Sequence, residues 1–265
     1  MTALPLACVV PGMIIEIPPT ADANALATMI AGTAAAAAAQ TEVAQPVTPS
    51  ATVPPTATVT SVPIYSTEGT ALLTDAGGAT TFIDQAGGYE LKISPGWLLV
   101  RVNERELMDA WTLPETADAR IQNFLHQVQK SDPKTFRLFG ADTLAEHYQG
   151  GFVSNFNVFW DRDRTESLEQ LVGALQEQLP RTYLNSTVTH AEVGFTSSRV
   201  SVGIVESSSV LLTPAGWPIN LHQKQVVFHL KTGALTIVLS TTEELKDIYL
   251  PAFDAMVDKF ALLDK

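Results

Sequence analysis

The segment Thr80–Trp97, TTFIDQAGGYELKISPGW, reads as two short strands joined by a tight turn. Phe82 stands among polar and β-branched neighbours, and Ala86-Gly87-Gly88 supplies the turn. Tyr89, Leu91 and Ile93 then alternate with polar residues, the period-two pattern of a half-buried strand. Pro95-Gly96 turns the chain again and presents Trp97 to a core.

Downstream the pattern shifts to helical spacing and back. A helix is predicted over Asn103 to Trp111, and a second one places Ile121, Phe124, Leu125 and Val128 at i, i+3, i+4, i+7. GFVSNFNVFW, residues 151–160, reads as a strand. ESLEQLVGALQEQL, residues 166–179, puts Leu168, Leu171, Val172, Leu175 and Leu179 on one face, with Ser167 and Gln170 at capping-box spacing. Strands follow over Ser186–Val193, Ser198–Glu206, Leu221–Leu230 and Ala234–Ser240. The closing stretch TTEELKDIYLPAFDAMVDKFALLD reads as helix in two pieces, with Pro251 in the first turn of the second. Strand runs joined by hairpins, with helices between and after them, predict an α+β fold: an antiparallel sheet sandwiched by helices, in α/β/α layers.

The chain before this region has a different composition. Of 265 residues, the first 91 contain no Lys or Arg, and the net charge is −12. That charge argues against a nucleic-acid partner, which requires clustered Lys and Arg. Residues 23–39 are ten parts alanine in seventeen, helix-prone but without an amphipathic stripe, and too weakly apolar for a membrane span. Residues 41–63 carry five prolines and six threonines with no large apolar anchor, the composition of an extended, largely disordered spacer. The expected organisation is a remnant of a lipoprotein signal and anchor over 1–22, an Ala-rich segment over 23–40, a Thr/Pro-rich linker over 41–79 and a globular domain over 80–265.

Cys8, in LPLACVVPG, is the single cysteine. It excludes an internal disulfide and a cysteine-based zinc site. A nucleophile needs a positioned base, and every histidine lies beyond the spacer. Leu4, Leu6, Ala7 and Cys8 approximate the end of a bacterial lipoprotein signal, with Pro5 where an aliphatic residue is usual. Lipidation of Cys8 is therefore the expectation, with a fortuitous cysteine as the alternative. It implies attachment to the outer face of the cell membrane through a lipid rather than a spanning helix.

GGYELKISPGW also resembles the opening of PsbP-like domains, the superfamily of the extrinsic PsbP subunit of photosystem II and the Ran-binding nuclear import factor. The helix SLEQLVGALQEQL after the strand NFNVFW, and the ending GALTIVLSTTEELKDIYLPAFDAMVDKFAL, are similar to that family in the same order. The likeness spans roughly residues 80 to 264 and departs between Trp97 and Phe152, where extra helix is inserted. It implies a helix-covered antiparallel sheet in a superfamily whose members mostly bind and stabilise other proteins, with no catalytic motif. Bacterial members with such a tether are often exported lipoproteins.

Catalytic motifs are few. Ser131-Asp-Pro-Lys134, Tyr183-Leu-Asn185 and Lys231-Thr-Gly233 occur in the order used by penicillin-recognising serine enzymes. Ser131 lies past a helix end, however, and Lys231-Thr232-Gly233 falls between alternating strands, where it reads as a hairpin turn. His126, His147, His190, His222 and His229 show no metal-ligand pairing, and His222 and His229 face opposite sides of one strand. Glu104, Glu106 and Asp109, and Glu243, Glu244 and Asp247, are read as helix-opening acids. No catalytic residue, metal site or cofactor is expected. The functional expectation is a non-catalytic, surface-tethered protein-binding or assembly module of unknown partner. The alternative is a hydrolase or small-ligand protein with a site assembled from loop residues.

Overall fold

The structure, a computed structural model, describes residues 63–148, 151–182, 185–212 and 216–263. Cys8, the segments over 1–22, 23–40 and 41–62, and Tyr183 lie outside the described residues.

Seven antiparallel strands form the central sheet: β4 (Trp97–Val100), β5 (Phe136–Asp142), β6 (Asn155–Asp161), β7 (Thr187–Phe195), β8 (Ser201–Leu212), β9 (Pro218–Leu230) and β10 (Gly233–Thr242), in the order β4-β5-β6-β10-β9-β8-β7. A second sheet has the order β1-β2-β3-β11, from β1 (Thr70–Thr74), β2 (Thr80–Asp84), β3 (Tyr89–Ile93) and β11 (Ala261–Leu262). Four helices complete the described residues: α1 (Arg105–Ala110), α2 (Ala119–Lys130), α3 (Leu168–Thr182) and α4 (Lys246–Asp258).

Side chains of the large sheet divide by parity, because register pairs share a face. Leu235, Ile237 and Leu239 of β10 lie opposite Trp160, Val158 and Phe156 of β6, and Ile237 and Leu235 lie opposite Val226 and Phe228 of β9. This face packs against Phe82, Tyr89, Leu91 and Ile93 of the small sheet and Tyr249, Phe253, Met256 and Val257 of α4. Burial of this apolar surface, at about 25 cal/mol per Å², is the main force joining the layers. The other face carries α1 and α2 over β4 and β5, through Leu107, Ile121, Phe124, Leu125 and Val128 against Phe139 and Ala141. Farther along the same face, α3 sits on β7, β8 and β9 through Leu168, Leu171, Val172 and Leu179. The α+β class and the helical cover on both faces match the expectation, and one face shares its cover with the small sheet.

Three features depart from the sequence reading. Residues 70–74 are not linker: β1 pairs with β2 from Thr70↔Asp84 to Thr74↔Thr80, so the ordered domain begins before residue 80. β5 falls in a stretch with no strand assigned, because a strand buried on both faces lacks alternation. Finally, α4 is one helix with Pro251 inside it. The loss of the Pro251 amide, about 3 kcal/mol in a helix interior, is offset by the apolar contacts of Tyr249 before it and Phe253, Met256 and Val257 after it.

Local signals elsewhere are realised as read. Ser167 and Gln170 form the reciprocal capping box of α3, with Gln170 N donating to Ser167 Oγ at 3.3 Å and Ser167 N donating to Gln170 Oε1 at 3.0 Å. Lys231 and Thr232 are the turn between β9 and β10, closed by the pair Leu230↔Gly233. Gly233 has φ 112°, and a Cβ there would lie 2.1 Å from Asp161 O, so only glycine fits.

Candidate functional site

One end of the large sheet, on the face covered by α4, carries polar side chains where the apolar alternation stops. Asp142 of β5, Ser154 beside it, Thr241 of β10, His222 of β9 and Ser208 of β8 follow one another across the strands. Ser154 and Thr241 hydroxyls are 2.9 Å apart, and Asp142 N donates to Ser154 O at 2.9 Å. The first turns of α4 and the 3-10 turn Ala145–His147 cover this belt.

Two clusters occupy it. In the first, the buried Asp142 carboxylate accepts from Leu144 N at 2.8 Å, from the Tyr249 hydroxyl and from His147 Nδ1 at 2.5 Å. An ionised carboxylate only accepts, so His147 carries its proton on Nδ1. Burial, and then the hydrogen bond to Asp142, push the Tyr249 phenol far above its ordinary value. Tyr249 therefore remains a neutral donor. Its ring packs on Trp97 at a centroid distance of 5.5 Å, which ties α4 to β4.

In the second cluster, His222 lies between two carboxylates, with Nε2 3.7 Å from Glu206 Oε2 and Nδ1 3.6 Å from Glu243 Oε2. Lys224 Nζ bridges Glu206 Oε1 at 3.0 Å and Asp254 Oδ1 of α4 at 2.8 Å, and Lys246 pairs with Glu243. Burial lowers the His222 pKa, and Glu206 and Glu243 oppose that shift without overcoming it. His222 Nε2 and Glu243 Oε2 are buried without a hydrogen-bond partner.

The chemical capacity of the belt follows from its closure. An imidazole oriented by a buried carboxylate is half of a general-base arrangement. Here, however, the Ser154 hydroxyl is 2 % exposed and Thr241 is fully buried, while Lys224 is held between two carboxylates. Lys224 and Lys246 pair with three of the carboxylates, and the Tyr249–Asp142 and Lys224–Asp254 contacts fasten α4 to the sheet.

The motif residues singled out from sequence serve the fold. Ser131 closes α2, its hydroxyl donating to Gln127 O at 3.0 Å, and the Lys134 amide donates to Asp132 Oδ1 at 3.0 Å in the loop that follows. Asn185 has φ 51° at the start of the turn into β7. His126 packs on Trp111, His190 pairs with Glu192 at 3.4 Å, and His229 is exposed on the face opposite buried His222. Glu104 precedes α1 as its N-cap, Glu106 pairs with Arg101, and Asp109 pairs with Arg105 at 3.2 Å. Asp247 lies in the first turn of α4. Among the described residues, no group of three or more His, Cys, Asp or Glu side chains is arranged to hold a metal ion, and no helix is long and apolar enough to cross a membrane. Asp142, Ser154, Thr241 and Tyr249 were legible only as polar or aromatic residues in register with apolar ones, as in LHQKQVVFHL, where His222 and Lys224 share a face with Val226 and Phe228.

No family model matches the chain, and no curated protein sequence does. Among solved structures, it is similar to cyanobacterial PsbP (CyanoP) from Synechocystis sp. PCC 6803, with 14 % identity, 77 % of this chain and 98 % of that chain covered, and a TM-score of 0.44. It is similar also to LpqN, involved in cell envelope biogenesis of Mycobacterium tuberculosis, with 10 % identity, coverage of 77 % and 90 %, and a TM-score of 0.42. A third is PA94, a protein of unknown function from Pseudomonas aeruginosa, with 11 % identity, coverage of 43 % and 75 %, and a TM-score of 0.37. The α+β class rests on the strands and helices themselves.

Proposed function

We propose that this chain is a non-catalytic, extracytoplasmic binding or assembly module, held at the outer face of the membrane through lipid on Cys8. The observation that carries the reading is the closure of the belt: Asp142 and Lys224 are engaged in holding α4, and Asp142, Ser154, Thr241 and His222 are all buried. The Thr/Pro-rich spacer and the LPLAC stretch support the location. Large apolar side chains exposed to solvent, Phe195 and Met108 among them, support contact with other proteins.

The test compares the wild-type chain with His147→Ala. Capture of the same membrane-fraction partner by both, with no turnover of a broad hydrolase panel, is the expected outcome. Turnover that disappears in His147→Ala would replace the proposal with the hydrolase reading, since it would make the Asp142–His147 pair a working base. Mass spectrometry of the mature N-terminus tests the anchor: a diacylated or triacylated Cys8 is expected, and an unmodified Met1 would refute it.

A further inference from the structure

Among the described residues, β7 is an outer strand of the large sheet, nine residues long and exposed or half-exposed throughout. Natural edge strands are usually blunted by Lys, Pro, a bulge or a cover. Here the bulge lies at one end, between Val188 and His190, and residues 190–195 form a regular ladder on β8 with neither Lys nor Pro. The ionisable residues of that stretch, His190 and Glu192, lie against each other at 3.4 Å. Ala191, Val193 and Phe195 share the face on which α3 sits. Val193 is 39 % exposed and Phe195 74 % exposed.

We propose that β7 pairs antiparallel with β7 of a second copy of this chain, on a two-fold axis through Val193, joining the two large sheets. A symmetric pair within one sheet needs its axis perpendicular to the sheet, so facing residues share a face and the axis passes through a residue position. An axis through Glu192 sets two carboxylates directly opposite, which is destabilising. One through Ala191 runs the partner strand into the bulge, and one through Gly194 leaves little strand to pair. The axis through Val193 avoids all three. It places Val193 on its mate, each Phe195 over the small Ala191 of the other chain, and each Glu192 opposite Gly194. This inference stands apart from the proposed function: its test reads strand register, and partner capture and turnover do not enter it.

The experiment uses the full chain carrying Cys8→Ser, so that each introduced cysteine is the only one. Under mild oxidation Val193→Cys forms a covalent dimer, and the exposed-turn control Asp163→Cys does not. Ala191→Cys and Phe195→Cys chains cross-link when mixed and not when oxidised separately. Sedimentation of the unmodified chain shows mass rising toward the dimer with concentration, and Phe195→Asp weakens the dimer about tenfold or more, a cost of about 1.4 kcal/mol. A chain that stays monomeric, a dimer indifferent to Phe195→Asp, or Val193→Cys no more reactive than the control would each overturn the proposal.

Discussion

Arg137 is the side chain whose loss the fold should feel most. Arg137 and Asp84 are both fully buried and join the two sheets, with Nε donating to Asp84 Oδ2 at 2.7 Å and Nη2 to Oδ1 at 3.0 Å. The same guanidinium donates to Glu68 O at 2.8 Å and Pro133 O at 2.9 Å and lies 5.2 Å from the Trp160 ring centroid. Asp84 also accepts from Gly87 N at 2.9 Å, inside the β2–β3 turn. Arg137→Met removes four donated hydrogen bonds and leaves a buried carboxylate without its counter-charge. Breaking such a pair costs about 3–5 kcal/mol, a large share of the roughly 5–15 kcal/mol that holds a domain together. The double variant Asp84→Asn/Arg137→Met keeps the acceptor for Gly87 and removes the stranded charge, so it should recover at least about half of that loss. Urea unfolding at neutral pH reads both values from midpoint and slope. A loss under about 1 kcal/mol in Arg137→Met, or a double variant no better than the single, would refute the account of Arg137 and Asp84 as a mutually dependent pair.

Further outcomes follow from other sites. Burial lowers the His222 pKa, so the unfolded chain binds the proton more readily; stability should fall as pH drops below about 6.5 toward the folded-state value, and His222→Gln should flatten that slope. Glu206, Glu243, Lys224 and Lys246 face His222 and Asp254 lies on Lys224, so unfolding should be followed above the carboxylate range to isolate the histidine. Gly140→Ala would bring a Cβ within 2.2 Å of the Phe156 ring and should cost about 1–3 kcal/mol in thermal unfolding. Gly173→Ala, in α3 with no atom within 4 Å, should instead stabilise by about 0.5–1 kcal/mol. Ser167→Ala removes the acceptor of the α3 capping box and should cost about 0.5–2 kcal/mol, with helix content near α3 reported by amide exchange.

The elements that could be read from sequence are those whose pattern is local. The β2–β3 hairpin, the heptad-like face of α2 and the capping box of α3 each carry their own periodicity or turn chemistry. β5 could not be read this way, because Arg137 and Asp142 point into the protein and Gly140 makes room for Phe156, so neither alternation nor polarity marks the strand. The polar belt was hidden for a related reason. Asp142, Ser154, His222 and Thr241 are scattered between positions 142 and 241, and only the strand order β5-β6-β10-β9 aligns them. Pro251 misled for the opposite reason: its local rule is sound, and tertiary packing of Tyr249 and Phe253 overrides it.

Arg101, just past the end of β4, and Arg137 of β5 take hold of backbone carbonyls at the start of β1 and just before it: Arg101 Nη1 donates to Thr70 O at 2.6 Å and Arg137 Nη2 to Glu68 O at 2.8 Å. β1 forms an outer strand of the small sheet, and on its own it would peel from β2 one hydrogen bond at a time under tension from the N-terminal side. The two guanidinium groups act as a strain relief at that point. A pull arriving from the N-terminal side is passed sideways into seven hydrogen-bonded strands before it can unzip the hairpin.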